Sequence, residues 1–115
     1  MVALSRNVTH KHAMEMLLTG DMIAAARAEQ IGLINRMVNA SQLTEQSMAI
    51  ASQIASKSQM TVALGKRAFY QQASMPLASA YDYASEVMVG NLLKQDAEEG
   101  IDAFIGKRPA HWRDQ

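Results

Sequence analysis

The stretch that decides the fold reads PLASAYDYASEVMVGNLL, residues 76–93. Its apolar side chains recur every three or four positions, which is the period of an α-helix. One stripe of this helix holds Leu77, Tyr81, Ala84, Met88 and Leu92. Because Val89 and Leu93 lie elsewhere around the axis, more than one face of the helix is apolar. The sequence therefore predicts a helix that packs against apolar partners on more than one side.

Comparable patterns predict helices on both sides of this stretch, so the expected fold class is all-α, with five to six helices. The other predicted helices cover about 9–18, 24–30, 41–57, 60–72 and 96–108. The hydroxyls of Thr9 and Ser41 are expected to cap two of them, and Gly20 suits the left-handed residue that ends the first. Loose alternation over residues 33–38 predicts a brief extended segment.

The last predicted helix has charged residues at both ends and apolar residues between them. Its acidic first turn suits the positive end of the helix dipole, and Lys107 and Arg108 suit the negative end. Its buried side is predicted to consist of Ala97, Ile101, Phe104 and Ile105. The tail, residues 110–115, is predicted to be irregular.

Length and composition limit the classes of protein to which the chain can belong. Its 115 residues suit one helical domain over 1–115. Eleven basic and eleven acidic residues give a net charge of zero, which argues against partners such as nucleic acid or membranes. The absence of cysteine excludes disulfides and thiolate metal sites. No membrane-length apolar run or signal-peptide pattern is present. The default expectation is a cytoplasmic location, or a mitochondrial or peroxisomal one in a eukaryote.

Reactive residue types do not form a recognisable catalytic or metal site in the sequence, and no cofactor is expected. His10 and His12 are two positions apart, so their side chains diverge on a helix and do not suit a metal ion. Four acidic residues cluster near the start of the last helix, namely Asp96, Glu98, Glu99 and Asp102. They are expected to form a solvated turn, because nothing nearby in the sequence would bury them.

Three ordered motifs are more informative than any single residue. The first is AMEMLLTG at residues 13–20, followed by GLINRMV at 32–38, and the second pairs Ile54-Ala55 with Lys57-Ser58 and Lys66. The third is DAEEGIDAFIGKR at 96–108, followed by Trp112. Together they resemble the C-terminal portion of the crotonase superfamily, the enoyl-CoA hydratases and isomerases, from about Asn7 to Trp112.

This resemblance implies a helical region that follows a spiral of β-strands and helices in longer proteins. In the family, that spiral supplies the two N–H groups of the oxyanion hole and, in hydratases, the two catalytic glutamates. No residue of this sequence matches those groups, so no catalytic residue is assigned. Because the charge on the thioester oxygen needs preorganised donors, these 115 residues alone are expected to be inactive on crotonyl-CoA.

The resemblance also implies self-association, usually as trimers or hexamers, and contact with the acyl-CoA substrate. The family's last helix carries an aromatic residue and a lysine that contact the adenine and phosphates of CoA, and Phe104 and Lys107 match those positions. Lys66 is a weaker candidate for the phosphates. From the residues alone, Phe104 also suits core packing beside Ile101 and Ile105, and Lys107 also suits capping of the helix end.

Two other hypotheses belong to different classes of protein. One is a free-standing, non-catalytic helical module that keeps only the association surface. The other is a small helical bundle whose motif matches arise by chance, which requires three ordered coincidences. An upstream reading frame encoding a glycine-rich oxyanion segment would favour the enzyme portion, whereas an independent promoter would favour the module.

Overall fold

Strong helix formers dominate the sequence, and the computed structural model, which describes residues 1–115, contains helices and no β-strand. The seven helices are α1 (Val2–Asn7), α2 (His10–Thr19), α3 (Ala25–Gln30), α4 (Leu43–Ala55), α5 (Gln59–Gln72), α6 (Leu77–Leu92) and α7 (Gln95–Ile105). The all-α prediction is confirmed, and α1 is a short helix that the sequence pattern does not predict. None of the helices is both long and apolar enough to cross a membrane.

The chain divides into two compact units, Met1–Gln46 and Ser47–Gln115. In the first unit, Gly20 ends α2 in the left-handed conformation with φ 68°, as its position predicts. Thr9 precedes α2 as predicted, but its hydroxyl does not cap the helix. The Thr9 Oγ1 atom lies 3.1 Å from Nδ1 of His12 instead, so the side chain is engaged by the imidazole.

The chain after α3 differs from the prediction. The N–H of Gly32, whose φ is 78°, donates to the Glu29 carbonyl, and the N–H of Leu33 donates to the Ala28 carbonyl at 2.9 Å. This is a Schellman motif, which reverses the chain direction at the helix end. The extended segment predicted at 33–38 is wrong, because these residues form bends and irregular backbone with no partner strand.

The start of α4 also differs from the prediction. Ser41 lies inside a 3₁₀ turn, Ala40–Gln42, and its hydroxyl caps no helix. The helix itself begins at Leu43 and ends at Ala55, two residues before the predicted end. A 3₁₀ turn at this place satisfies part of the free backbone N–H groups without a side-chain cap.

In the second unit, α5 and α6 pack together as an antiparallel pair. Near the start of α5, Thr61 Oγ1 donates to Asn91 Oδ1 at the end of α6, at 3.3 Å. Near the end of α5, Gln71 Oε1 accepts a hydrogen bond of 2.8 Å from the Tyr83 hydroxyl in the first half of α6. The helix α6 also contacts α7. These contacts bring the starts of α5 and α7 within reach of the same tail.

Burial of large apolar side chains is sparse in both units. The buried apolar residues are Val8, Ala13, Ala28 and Ala103. On α6, large apolar side chains remain exposed, including Leu77, Tyr81, Met88 and Leu92. This agrees with the prediction that α6 needs partners on more than one side, since within the chain most of its apolar surface stays uncovered.

Candidate functional site

The first turn of α7 begins with a buried carboxylate. Asp96 is only 2% exposed. Its Oδ1 accepts a hydrogen bond of 2.8 Å from the Arg113 N–H, and its Oδ2 accepts one of 3.1 Å from the Asp114 N–H. The hydroxyl of Ser58, together with these two N–H groups, holds the pKa of Asp96 below its usual range. Asp96 therefore stays ionised and fixes the tail against α7.

The tail also binds the start of α5. The Asp114 Oδ1 accepts hydrogen bonds from the N–H groups of Gln59, at 2.7 Å, and Met60, at 3.1 Å. The Trp112 indole Nε1 donates to the Ser56 carbonyl at 2.7 Å. A carboxylate at a helix N-terminus is favourable because it accepts from free N–H groups and faces the positive end of the dipole. We call Asp96, Trp112 and Asp114, with these partners, the C-terminal clasp.

A glycine lets the indole ring lie close to α7. A Cβ atom added at Gly100 would stand 3.3 Å from Cη2 of Trp112, which is tighter than ordinary van der Waals contact. The ring therefore packs on the surface of α7 at Gly100. The irregular backbone predicted for the tail is confirmed, but its side chains are fixed by hydrogen bonds and packing.

One turn along α7, Glu99 forms the molecule's ion pair with Arg108. The two guanidinium nitrogens Nη1 and Nη2 donate to Oε1 and Oε2 at 2.6 and 2.8 Å. The His111 N–H donates to Oε1 at 2.7 Å. The Arg108 guanidinium, followed by this N–H, lowers the pKa of Glu99 from 4.5 to about 2. The same pairing raises the pKa of Arg108.

The prediction of a solvated acidic turn is therefore wrong for two of the four acidic residues. Asp96 is buried and Glu99 is half-buried, because the tail folds back over them. Glu98 and Asp102 remain exposed and line an open cleft of about 540 Å³ beside Arg108 and His111. No three His, Asp or Glu side chains are placed to hold a metal ion.

The apolar residues of α7 lie on its outside. Ile101, Phe104 and Ile105 are 50%, 85% and 72% exposed, and we call them the outer face of α7. The opposite side, which we call the inner face, consists of Asp96, Glu99, Gly100 and Ala103. The predicted buried side is therefore wrong for the outer-face residues, because the tail occupies the inner face and leaves the apolar stripe uncovered. This exposure also removes core packing within the chain as the role of Phe104.

Lys107 follows α7 in a conformation that residues with a Cβ rarely adopt. Its φ is +48°, and the left-handed region costs such a residue roughly 1–2 kcal/mol. The Lys107 N–H donates to the Phe104 carbonyl at 3.3 Å, and the Arg108 N–H donates to the Ala103 carbonyl at 3.0 Å. These bonds form a second Schellman motif. The backbone thus satisfies the helix end, and the Lys107 side chain is exposed without a hydrogen bond or ion pair.

Two of the three residues predicted to contact CoA lie near each other in the sequence at the end of α7. Phe104 and Lys107 lie three residues apart at the end of α7, both exposed. Lys66 is exposed on α5 and has no bond to α7. The sequence analysis did not predict the clasp. A signal was present, because the chain's one tryptophan, Trp112, comes soon after the acidic helix start and Gly100.

Comparisons with known proteins agree on one family. A family model described as enoyl-CoA hydratase/isomerase matches residues 1–115. The rat protein named "Enoyl-CoA hydratase domain-containing protein 3, mitochondrial" is 50% identical over 111 residues, which are 96% of this chain and 37% of the rat protein. The protein named "Enoyl-CoA hydratase, mitochondrial" from Pongo abelii is 35% identical over 97% of this chain and 39% of its own length.

Solved structures give the same result. The crystal structure of human enoyl coenzyme A hydratase domain-containing protein 3 matches with a TM-score of 0.93 and 46% identity, over 96% of this chain and 44% of the human one. That of an enoyl-CoA hydratase from Mycobacterium smegmatis matches with a TM-score of 0.92 and 42% identity, over 96% and 43% of the two chains. The chain thus spans less than half the length of the relatives that it matches.

Proposed function

This chain belongs to the enoyl-CoA hydratase/isomerase family, and we propose that it serves subunit association and CoA contact in a protein that acts on acyl-CoA thioesters. The reaction of the whole protein is hydration or isomerisation of a 2-enoyl-CoA through a thioester enolate. The chain forms one helical region, 1–115, of that protein. Its location is mitochondrial in a eukaryotic host, in keeping with the names of the relatives, and otherwise cytoplasmic.

The end of α7 carries this proposal. Phe104 offers an exposed aromatic ring, which suits stacking with the adenine of CoA. Lys107 offers an ammonium group that no carboxylate of the chain neutralises, and a free ammonium group suits a phosphate as a point charge. A strained backbone at an exposed residue is typical of functional positions. The proposal rests on a single observation: an exposed aromatic ring and a lysine without an ion-pair partner lie three residues apart at the end of α7.

Subunit association is supported by the apolar surface of the second unit. Leu77 and Met88 on α6, Leu93 directly after it and Phe104 on the outer face of α7 are 66% to 85% exposed. Burying such a side chain is worth roughly 1.5–3 kcal/mol, and exposed patches of this kind mark protein contacts. Sedimentation at micromolar concentration is expected to show oligomers, and a clean monomer would contradict the association role.

The CoA contact is tested by calorimetric titration of the protein, as its host produces it, with free CoA. Lys107→Ala is expected to weaken binding by about 1 kcal/mol, or roughly fivefold, because one exposed ion pair to phosphate is lost. The loss should shrink as salt is added, since exposed charges are screened. Lys11→Ala is the matched control, because Lys11 is also exposed but lies on α2.

Two results would contradict the proposal. One is an unchanged CoA affinity in Lys107→Ala, and the other is an equal loss in Lys107→Ala and Lys11→Ala. Intact-mass measurement of the same sample reports the length of the natural chain. If that mass corresponds to these 115 residues and the sample self-associates without binding CoA, the free-standing association module is the correct alternative.

A further inference from the structure

Two Schellman motifs in the chain differ in the residue that occupies the left-handed position. At the end of α3 that residue is Gly32, with φ 78°, and glycine adopts this conformation without steric cost. At the end of α7 it is Lys107, with φ +48°. Since the hydrogen bonds of the motif are the same, other contacts must hold the backbone where glycine is absent.

Those contacts come from the ion pair on the inner face. Arg108 is held twice, through its N–H to the Ala103 carbonyl at 3.0 Å and through its guanidinium to both oxygens of Glu99. The Glu99 Oε1 also accepts from the His111 N–H at 2.7 Å. The chain is therefore fixed on both sides of Lys107, by α7 before it and by residues 108–111 after it.

The same pair leaves the Lys107 ammonium free. The carboxylate of Glu99 forms an ion pair, and Arg108 donates to both of its oxygens. A bidentate guanidinium–carboxylate pair has a fixed planar geometry, whereas a lysine would bind as a mobile point charge. Arg108 thus pairs with the Glu99 carboxylate and fixes the direction of the turn, while the exposed Lys107 side chain forms no ion pair.

We propose that Glu99 and Arg108 are positioning residues for the binding of CoA. They fix the backbone at Lys107, and Lys107 contacts the phosphates. This inference rests on the proposed CoA contact of Lys107 and adds to it the residues that hold that contact in place. Neither Glu99 nor Arg108 needs to touch the ligand. Because the backbone at Lys107 is already fixed, the entropy cost of binding is lower.

A double-mutant cycle tests the inference, with free CoA as the ligand. The proteins are the natural protein, Lys107→Ala, Glu99→Gln and the double variant. Glu99→Gln is expected to weaken CoA binding about threefold in the presence of Lys107 and to have no further effect in the Lys107→Ala background. Such coupling is expected only if Glu99 acts through Lys107. Glu98→Gln is the matched control, because Glu98 is an exposed neighbour with no ion pair.

The outcomes separate the inference from the proposed function. If Lys107→Ala binds CoA normally, the proposed contact and the inference are both wrong. If Lys107→Ala weakens binding but Glu99→Gln has the same effect in both backgrounds, or none, only the inference is wrong. Should Glu99→Gln fail to fold, Arg108→Lys provides the same cycle, since it keeps the charge and removes the bidentate geometry. Equal losses for Arg108→Lys in the two backgrounds would again overturn the inference.

Discussion

The two faces of α7 reverse the usual distribution of polar and apolar residues. The inner face consists of polar or small residues, and its carboxylates Asp96 and Glu99 accept hydrogen bonds from the tail. The outer face consists of Ile101, Phe104 and Ile105 and is open. A buried carboxylate is tolerated where N–H groups satisfy it, whereas an apolar side chain gains free energy only where a partner covers it. Residue polarity alone therefore does not tell which side of a helix faces its own chain.

The largest expected effect on stability comes from the aromatic residue that covers the inner face. Trp112→Ala removes the ring from Gly100 and the hydrogen bond to Ser56. Full burial of such a residue is worth roughly 3–5 kcal/mol, and since Trp112 is half-buried we expect a loss of about 2 kcal/mol. Thermal unfolding should show a decrease of about 8 °C in Tm.

Phe104→Ala is the control for this change, because it removes an aromatic ring from the outer face. In dilute samples its effect should stay within about 0.5 kcal/mol, as for other exposed substitutions. Equal losses from Trp112→Ala and Phe104→Ala would show that the two faces do not differ in the way the structure indicates.

The next effect concerns acid stability and the ion pair of the inner face. The pKa of Glu99 falls from 4.5 to about 2 on folding. Because the folded-state pKa is the lower one, the stabilisation is fully present above about pH 4.5 and is lost as the pH falls toward 2. Unfolding by denaturant at a series of pH values should therefore show stability that decreases across this window.

Glu99→Gln should remove this part of the pH dependence, and Glu98→Gln should retain it because Glu98 forms no ion pair. A natural protein and a Glu99→Gln variant with parallel stability profiles between pH 4.5 and 2 would contradict the assignment.

The smallest expected effect distinguishes two helical glycines. Gly90 lies in α6 with nothing within 4 Å of an added Cβ, so Gly90→Ala should raise stability by roughly 0.5–1 kcal/mol. At Gly100 the added Cβ would meet the Trp112 ring at 3.3 Å. Gly100→Ala is therefore expected to be less stabilising than Gly90→Ala by about 1 kcal/mol or more.

The double variant Gly100→Ala with Trp112→Ala tests whether the Trp112 ring causes the difference between the two glycines. Without the ring, the added methyl group should regain the benefit seen at Gly90. If Gly100→Ala and Gly90→Ala stabilise the natural protein equally, the close packing of the indole on α7 is wrong.

Local signals account for most of what the sequence predicted correctly. Gly20 and Gly32 end helices because their positive φ has little steric cost. Pro76 marks the start of α6 to within one residue: it is expected in the first turn of the helix and is the N-cap residue directly before Leu77. The ordered motifs predicted the family for the same reason, since each is a short run of neighbouring residues.

The errors have two causes: a neighbouring group takes the hydrogen bond that the pattern assigned to another, or a residue far along the chain supplies the contact. Thr9 binds the His12 imidazole in place of the helix N–H groups. Leu33 donates back to α3, and residues 33–38 find no strand to pair with. The clasp joins Asp96 to residues 17 and 18 positions away and Gln59 to a residue 55 positions away. The residue pattern of a single helix cannot predict contacts between residues so far apart in the sequence.

By itself, the sequence determined the helical class, most helix ends and the family, because backbone propensity, turn residues and motif order act over a few neighbouring positions. Only the tertiary structure decided which face of α7 is covered. The tail can satisfy the carboxylates of Asp96 and Glu99 with N–H groups, and it packs its indole where Gly100 leaves room. As a result, Phe104 and Lys107 are exposed at the end of the helix. The spacing of apolar residues predicts an apolar stripe, but it does not predict whether this chain or a partner covers that stripe.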